Sequence, residues 1–345
     1  MRPLLAPAIL FEEIPLTESA ARCVATGRRT VEAILDGRDP RLLVVMGPCS
    51  IHDPAAALDY AARLRVLAHS VADSVYVVMR VYFEKPRTVV GWKGLINDPD
   101  LDGSYHINKG LRLARRVLAD IAELGLPCGT EFLDTTFGQF YADLVSWGAI
   151  GARTAESQVH RELASGLSMP VGIKNRTDGN VQVAVEAILA ARARHLFPSL
   201  TKEGAPAILE TTGNPYCHLV LRGGSETGPN HGAAAVDKAL ALLRHAALPE
   251  RLMIDCSHGN SDKRPERQLD VAADAIAQRR AGRPEIRALM IESFLVAGRQ
   301  EPGDRPLTYG QSITDGCLSF ESTAAALQEI ATSLDEANES LGGAE

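Results

Sequence analysis

Short apolar runs rich in β-branched residues recur along this chain, and segments with helical spacing separate most of them. Eight of these runs predict buried strands, at 42–47, 75–81, 128–132, 149–153, 170–174, 218–224, 251–258 and 288–293. The intervening segments, such as NKGLRLARRVLADIAELG and VQVAVEAILAARAR, are rich in alanine and leucine. Strand and helix alternating eight times predict an α/β fold that is a single (β/α)8 TIM barrel.

Three further elements decorate the predicted barrel. An amphipathic helix at about 18–35 precedes it, and a second at about 321–334 follows it. HLFPSL (195–200) and AILETT (207–212) predict an inserted β-hairpin before the sixth barrel strand. We therefore divide the chain into an N-terminal extension with a helix (1–40), the barrel (41–320), and a C-terminal helix with a tail (321–345).

Composition narrows the class of protein. The 345 residues are 46% hydrophobic and 23% charged, which is typical of a soluble globular protein. A formal net charge of -7 argues against a nucleic-acid partner. The opening stretch MRPLLAPAILFEEIP, an apolar run broken by Pro7, fits neither a signal peptide nor a membrane span, so we expect a cytoplasmic protein. Six cysteines without a CxxC pair argue against a disulfide framework and a zinc ribbon.

Polar or charged residues close nearly every predicted strand. The C-terminal ends of barrel strands meet at one mouth, where barrel enzymes build their sites. Charges beside apolar runs are costly unless partners or ligands neutralise them, so their recurrence predicts a site. These residues are Cys49, Arg80, Glu131, Arg153, Lys174, Arg222, His258 and Glu292.

Four of these eight strand-end residues are cations, although the protein is acidic overall. Arginine suits two-point contact with phosphate or carboxylate, and lysine supplies a point charge, so a small anion with more than one such group is predicted. The arginines of the segment 112–116 fit a helix face and are expected to pair with local acids instead. The cluster comprises Arg80, Arg153, Lys174 and Arg222, with Lys85 and Arg87 from FEKPRT.

A second group has the chemistry of metal ligands. It comprises Cys49, His258, Glu292 and, in the loop YGQSITDGC, Asp315. A thiolate, an imidazole and two carboxylates suit a divalent transition metal such as Mn, Fe, Co or Zn. The spacing is not that of a zinc finger, so three alternatives stay open: a buried structural thiol, a thiol–base pair of Cys49 with His52, and a role for Cys256, which shares strand parity with His258.

Several long motifs resemble the type I 3-deoxy-D-arabino-heptulosonate 7-phosphate (DAHP) synthases, over almost the whole chain beyond about residue 10. The resemblance implies a metal-dependent, aldol-type condensation of phosphoenolpyruvate with erythrose 4-phosphate on a (β/α)8 barrel. The products would be DAHP and phosphate, in the first step of the shikimate pathway. The motifs are GPCSIHD (47–53), MRVYFEKPRTVVGWKGLINDP (79–99), EFLD (131–134), WGAIGARTAESQVHRELASGLSMPVGIKN (147–175), LRGG (221–224), IDCSHGNSDK (254–263), IESFLVAGRQ (291–300) and YGQSITD (309–315).

The resemblance also implies roles for single residues, and it implies a homodimer or homotetramer without membrane partners. Lys85 and His258 are expected to be catalytic, and Lys85 or a metal-bound group is expected to protonate the new hydroxyl. The implied metal ligands are Cys49, His258, Glu292 and Asp315. The implied phosphoenolpyruvate contacts are Arg80, Lys85, Glu131, Arg153, Lys174 and Arg222. Erythrose 4-phosphate is expected on Lys85, Pro86, Arg87 and Thr88.

Three features depart from the family pattern. Arg176 replaces a glycine in GIKNRTDG, the loop RGGSETGPNHG differs from the usual shorter form, and the N-terminal extension is shorter than in feedback-regulated members. Because of the shorter extension, we expect inhibition by phenylalanine, tyrosine or tryptophan to be weak or absent.

Two other functions stay open: a related aldolase acting on another sugar phosphate, and a non-catalytic phosphate-binding barrel. The related aldolase would use phosphoenolpyruvate or form a Schiff base through Lys174. Inhibition by a chelator would separate the metal enzyme from the imine enzyme.

Overall fold

A computed structural model gives the fold of residues 1–303 and 306–342, with side chains described as far as Glu336. The predicted barrel is confirmed: eight parallel strands close in the order β1-β10-β9-β8-β5-β4-β3-β2. The strands are, in chain order, β1 (Leu42–Gly47), β2 (Val75–Arg80), β3 (Cys128–Glu131), β4 (Trp147–Ile150), β5 (Val171–Lys174), β6 (Leu196–Leu200), β7 (Pro206–Glu210), β8 (Cys217–Leu221), β9 (Leu252–Asp255), β10 (Ile286–Glu292), β11 (Val296–Arg299) and β12 (Gln311–Ser312).

Helices follow the barrel strands as predicted, and the antiparallel pair β6 and β7 forms the predicted hairpin before β8. The helix at Pro7–Glu13 is not among the predicted elements, because Pro7 interrupts the apolar run in the sequence. Pro7 is the first residue of that helix, where its missing N–H would have no helical partner. The helices are α1 (Pro7–Glu13), α2 (Glu18–Asp36), α3 (Pro54–Ser70), α4 (Ile107–Glu123), α5 (Gly138–Tyr141), α6 (Gln158–Gly166), α7 (Gln182–Ala191), α8 (Ala233–His245), α9 (Arg267–Arg280) and α10 (Phe320–Gly342), with a 3-10 turn at Ala142–Leu144.

Strand alternation sorts the core into two layers. Side chains at odd and even positions of a strand face opposite sides, so one set fills the barrel and the other packs against the helices. Val78, Val220, Met253 and Met290 belong to the inner cluster. The next inward position on each of their strands carries a charge, namely Arg80, Arg222, Asp255 and Glu292. The strands therefore aim these charges into the barrel mouth.

Helix α2 closes the other end of the barrel. Val31, Ile34 and Leu35 join the inner cluster, so the apolar face of this helix forms a floor under the strands. The Arg28 guanidinium donates to the carbonyls of Ala142 and Val145, just before β4, at 2.8 and 2.9 Å. The floor is thus held at the N-terminal ends of the strands, away from the predicted site. Within the described segments, every helix is too short or too polar to cross a bilayer.

Candidate active site

A cavity of about 680 Å³ opens at the C-terminal ends of the barrel strands. Cys49 and Glu292 are fully buried behind its wall and contact residues that line it. The structure therefore brings the predicted cations and the predicted metal ligands to one place. The predicted site residues that line the cavity are Arg80, Lys85, Pro86, Arg87, Thr88, Glu131, Arg153, Lys174, Arg222, His258 and Asp315.

Three of the four predicted metal ligands form a compact group. The ligand atoms of Cys49, Glu292 and Asp315 all lie within 4.8 Å of one another. His258 stands beside this group, with Nε2 3.8 Å from Glu292 Oε1 and Nδ1 3.0 Å from Asp255 Oδ2. Its backbone has a φ of 58°, which places it on a left-handed turn after β9 rather than on the predicted strand. Thiol, carboxylate and imidazole donors at this spacing suit a transition metal.

Arg80 holds the buried ligands in position. Its Nη2 donates to Glu292 Oε1 at 2.9 Å and to the Cys49 carbonyl at 3.1 Å, and its Nε donates to the Pro48 carbonyl at 3.1 Å. Its guanidinium also lies 3.5 Å from the centre of the Tyr82 ring. Burial alone would raise the pKa of Glu292, but His258 and Arg80 lower it below its usual value. Glu292 is therefore an anion that is ready to bind a cation.

Lys85 reaches from the loop after β2 into the ligand group. Its Nζ lies 2.9 Å from Cys49 Sγ and 2.8 Å from Asp315 Oδ2. Burial would lower the pKa of Lys85, but Cys49 and Asp315 raise it above its ordinary range. Burial raises the pKa of the Cys49 thiol to about 11, so a thiolate here needs a cation beside it. The predicted catalytic lysine therefore touches two of the predicted metal ligands.

Lys174 forms a buried ion pair that the sequence did not predict. Its Nζ lies 2.8 Å from Asp255 Oδ2, and both side chains are almost inaccessible to solvent. Burial alone would raise the pKa of Asp255, but His258 and Lys174 lower it well below its usual range. Strand parity could have revealed Asp255, because it shares the inner face of β9 with Met253. This carboxylate connects the cation cluster to His258.

The remaining predicted cations have no acidic partner. No carboxylate among the described side chains lies within 4 Å of the guanidinium of Arg87, Arg153 or Arg222. Arg153 Nε donates to Thr88 Oγ1 at 3.2 Å, and Arg222 Nη1 donates to the Gly223 carbonyl at 3.2 Å. Burial lowers the pKa of Arg222. An anionic ligand in the cavity would supply the charge that these side chains lack.

The arginines of α4 show the expected pairing with acids only in part, because Arg116 has no carboxylate within 4 Å among the described side chains. Arg112 Nη2 contacts Glu13 Oε1 at 2.8 Å, and Arg115 Nη1 contacts Asp143 Oδ1 at 2.7 Å. Arg115 is nevertheless fully buried, so it is a structural pair under α1 rather than a surface charge. Both side chains lie outside the cavity lining.

Glu131 places an unsatisfied carboxylate oxygen at the site. Its Oε1 is buried and has no protein hydrogen-bond partner among the described residues, and the side chain lines the cavity. A Cβ atom at position 151 would collide with this oxygen, so Gly151 leaves the space that the carboxylate occupies. An unpaired buried oxygen of this kind is a ready acceptor for a ligand or a water molecule.

The structure gives less support to the two other roles considered for the cysteines, namely a thiol–base pair of Cys49 with His52 and a role for Cys256. His52 packs edge-on against Phe294, with ring centres 6.3 Å apart, and its buried Nδ1 has no hydrogen-bond partner among the described residues. Burial lowers the pKa of His52, and the Cys49 thiol contacts Lys85 and Asp315 instead. Cys256 belongs to the outer layer under the helices. Neither residue is arranged as a nucleophile with its base.

Glu84 is a further buried acid that sequence reasoning missed. It is 2% exposed and accepts from the Asp134 N–H at 3.2 Å. Burial, followed by the nearby Asp134 charge, raises the pKa of Glu84 to about 8. It lies one residue before Lys85, yet nothing in the spacing of FEKPRT separates a buried acid from a solvated one.

Comparison with known proteins is consistent with this geometry. A model described as the DAHP synthetase I family matches residues 13–328. The chain is 55% identical to the Phe-sensitive phospho-2-dehydro-3-deoxyheptonate aldolase of Escherichia coli K12 over 336 residues, 97% of this chain and 95% of that protein. It is 54% identical to the Trp-sensitive aldolase of the same strain over 333 residues, 96% of this chain and 95% of that protein.

A solved structure also superposes closely. The phospho-2-dehydro-3-deoxyheptonate aldolase of Francisella tularensis SCHU S4 matches with a TM-score of 0.95 and 51% sequence identity. The match covers 97% of this chain and 98% of that one, so the barrel, the hairpin and the helices outside the barrel are all included.

Proposed function

The chain belongs to the DAHP synthetase I family and is a 3-deoxy-7-phosphoheptulonate synthase, and we propose that the barrel-mouth cavity is where it condenses phosphoenolpyruvate with erythrose 4-phosphate. This proposal is supported by the difference between cations at the cavity that have an acidic partner and cations that have none among the described side chains. Lys174 and Lys85 have acidic partners, whereas Arg153 and Arg222 have none among the described side chains. Phosphoenolpyruvate carries a carboxylate and a phosphate, which match two unpaired guanidinium groups.

We propose that Cys49, His258, Glu292 and Asp315 hold one divalent transition metal. The Cys49 thiol and the Glu292 and Asp315 carboxylates form one group, the His258 imidazole lies beside it, and Arg80 and Asp255 contact Glu292 and His258 from behind. A metal bound there would polarise the aldehyde oxygen of the sugar phosphate as a Lewis acid. Mn, Fe, Co and Zn all suit this donor set.

The two substrate sets meet at the cavity mouth. Arg153, assigned to phosphoenolpyruvate, donates to Thr88, assigned to erythrose 4-phosphate, at 3.2 Å. Pro86, Arg87 and Thr88 line the same cavity, and Arg87 and Thr88 are exposed at its rim. With the sugar phosphate on this rim and the enol phosphate between the exposed Arg153 and the buried Arg222, C3 of the enol would face the aldehyde. Holding both reactants in this way removes much of the entropic cost of a bimolecular step.

The chain's own groups supply the proton and position the water. After C–C bond formation, Lys85 Nζ can protonate the former aldehyde oxygen, since it lies beside the ligand group at Cys49 and Asp315. Water then attacks C2 and phosphate leaves. Glu131 Oε1, buried without a protein partner, is suited to orient that water. Arg153 and Arg222 stabilise the departing phosphate.

The imine alternative is disfavoured by the surroundings of Lys174. A lysine nucleophile must be a neutral amine, whereas a buried carboxylate 2.8 Å from Nζ favours the ammonium form. Lys174 is therefore proposed as a fixed cation for phosphoenolpyruvate. The predicted homodimer or homotetramer remains a prediction.

A direct assay tests the function. Loss of phosphoenolpyruvate absorbance should require erythrose 4-phosphate, and related four- and five-carbon sugar phosphates should be slower substrates. Treatment with a chelator should abolish turnover, and added Mn²⁺, Fe²⁺, Co²⁺ or Zn²⁺ should restore it. Borohydride with substrate should leave Lys174 unmodified. Turnover that persists in chelator together with a reduced adduct on Lys174 would reject the metal mechanism.

A further inference from the structure

Three asparagines are buried beneath the cavity and are not among the residues assigned above. Asn175, Asn230 and Asn260 are 0%, 8% and 4% exposed. Asn175 follows Lys174 at the end of β5, and Asn260 lies two residues after His258 in the loop after β9. Asn230 belongs to the loop RGGSETGPNHG that follows β8, which departs from the family pattern. The strands β5, β8 and β9 are neighbours in the barrel, so the three side chains lie under one side of the mouth.

Asn175 connects the ends of β5 and β8. Its Oδ1 accepts from the Arg222 N–H at 2.8 Å, and its Nδ2 donates to the Gly223 carbonyl at 3.0 Å. The same Nδ2 donates to the Arg176 carbonyl at 2.9 Å. One side-chain amide therefore fixes the backbone of Lys174 relative to that of Arg222.

Asn260 connects the ends of β8 and β9 in the same manner. Its Nδ2 donates to the carbonyls of Leu221 and Asp255 at 3.1 and 2.9 Å. Asp255 pairs with Lys174 and lies 3.0 Å from His258 Nδ1. This amide therefore sets the position of the turn that carries His258.

Asn230 joins these two amides to each other. Its Nδ2 donates to Asn175 Oδ1 at 3.2 Å, and its backbone N–H donates to Asn260 Oδ1 at 2.8 Å. Its own Oδ1 accepts from the Gly223 N–H at 2.7 Å. In each of the three amides, both the oxygen and the nitrogen thus have hydrogen-bond partners, and a satisfied buried polar network of this kind is rigid and specific.

The backbones in this region are in direct contact. A Cβ at Gly223, whose φ is +71°, would collide with Gly259 and Asn260. The Gly259 N–H donates to the Arg222 carbonyl at 3.0 Å. With no side chains between the two loops, their separation is set by this contact and by the asparagine bonds.

We propose that Asn230 is a positioning residue that sets the distances between Lys174, Arg222 and His258 through Asn175 and Asn260. The inference rests on the proposed function, because those three residues are assigned to phosphoenolpyruvate and the metal. Asn230 touches no substrate. It acts through the backbone groups next to each functional side chain, and displacement of such groups by about 1 Å can cost about 100-fold in rate.

Asn230→Ala tests the proposal against a matched control, Asn214→Ala. Asn214 is also buried, and its Nδ2 donates to the carbonyls of Ala164, Leu167 and Met169 at 3.3, 3.2 and 2.9 Å. It lies before β8, at the opposite end of the barrel. The metal-loaded variants are compared by the Kd for phosphoenolpyruvate from calorimetric titration, by kcat and KM, and by melting temperature.

We expect Asn230→Ala to raise the Kd for phosphoenolpyruvate at least tenfold and Asn214→Ala to leave it within twofold, although both lower the melting temperature. Asn230→Ser, which keeps a short acceptor for the Gly223 N–H, should recover part of the affinity and stands in if the alanine variant does not fold. A Kd that is unchanged in the Asn230 variant, or raised equally by the Asn214 variant, overturns the proposal. Phosphoenolpyruvate binding without product formation by the unmodified protein would reject the proposed function alone, and absence of that binding would reject both.

Discussion

The two ends of the barrel bury polar groups in different ways. At the N-terminal end, Trp147 Nε1 donates to His218 Nε2 at 3.3 Å, and the remaining ring nitrogen of His218 lies 3.1 Å from the Tyr216 carbonyl. Burial lowers the pKa of His218 to about 4, so this pair is uncharged near neutral pH. At the C-terminal end, the buried groups include the ion pairs Arg80–Glu292 and Lys174–Asp255 beside the neutral asparagine network, and one oxygen of Glu131 has no partner among the described residues.

The neutral groups at one end contribute to stability, whereas the charged groups at the other end serve the proposed function. Neutral groups that satisfy each other need no ligand, so the floor formed by α2 and the Trp147–His218 pair is complete as it stands. Buried ions are stable only when paired, and removing one partner is costly. The mouth therefore keeps charges at the end where barrel enzymes carry out their chemistry, and we propose that substrates and a metal complete them.

The largest effect is expected from breaking the ligand group at the charged end. Cys49→Ser should lose bound metal and activity together, because a hydroxyl replaces a thiolate poorly. Removing a group that hydrogen-bonds a metal ligand lowers metal affinity or activity by about 10- to 100-fold. Loss of a ligand itself should therefore exceed about 100-fold in kcat/KM. Metal content of the purified variant, measured beside its activity, checks this.

His258→Ala and Glu292→Ala provide the comparison for that experiment. Both should share the phenotype of Cys49→Ser, because Glu292 belongs to the same ligand group and the His258 imidazole lies 3.8 Å from it. Full metal occupancy in an inactive Cys49→Ser protein would instead identify the thiol as a nucleophile and refute its assignment as a ligand.

The next effect concerns the buried ion pair of Lys174 with Asp255. Lys174→Met should destabilise the fold by about 3–5 kcal/mol, because it leaves a buried carboxylate without its partner. It should also raise the KM for phosphoenolpyruvate strongly. Urea unfolding and steady-state kinetics measure the two effects separately.

Adding Asp255→Asn to Lys174→Met sharpens the test. The double variant should regain much of the stability, because the unpaired charge is gone, but none of the affinity for phosphoenolpyruvate. Recovery of both properties together would show that Lys174 serves only the fold and that its assignment to the substrate is wrong.

A change at the neutral end should affect stability and leave catalysis unchanged. The pKa of His218 is about 4 when folded and has the ordinary value of about 6.5 when unfolded, so the unfolded chain binds more protons between these values. Stability from this group is complete above pH 6.5 and falls as the pH drops toward 4, by up to about 3 kcal/mol. His218→Phe should flatten this slope in urea unfolding from pH 7 to 4.

Kinetics provide the check on that assignment. The KM for phosphoenolpyruvate of His218→Phe should match that of the unmodified protein at pH 7, because the side chain lies at the far end of the strands. An altered KM would show that the two ends of the barrel are coupled.

The charged end could be predicted from sequence only where the strand pattern reached it. Arg80, Lys174 and Arg222 lie at or just after the strand ends, where alternation and the barrel rule place them. His258 and Arg153 lie on turns beyond their strands, and sequence spacing does not determine their approach to the cavity. Strand parity places Asp255 on the inner face of β9, but an acid at a strand end gives no sign of its partner.

The neutral end was less predictable still. The helix at about 18–35 was correctly predicted from its period, but the period does not say which surface it covers, and its role as the barrel floor was missed. At the charged end, the asparagine network also has no sequence signature, because its three members come from distant loops and bond mainly to backbone groups.

The smallest effect is expected at Arg176, where the family resemblance leads us to expect a glycine. Its guanidinium lies 2.6 Å from Glu156 Oε1 and 2.5 Å from Asp178 Oδ2, so it ties the loop after β4 to the loop after β5. The pKa of Arg176 is raised by these two acids. Arg176 is therefore a paired cation. It is not one of the buried polar groups at either end of the barrel.

Arg176→Ala should therefore change the KM for either substrate by less than about twofold, because exposed ion pairs contribute little. Alanine removes the bridge without the added backbone freedom of glycine, so any effect reports on the bridge itself. Steady-state kinetics with phosphoenolpyruvate and erythrose 4-phosphate, at low and high salt, measure it. A large rise in KM for the sugar phosphate alone would mean that the loop carrying Arg153 depends on this bridge. The exposed rim would then also contribute to substrate binding. In that case burial would not be the property that distinguishes the charged end of the barrel from the neutral end.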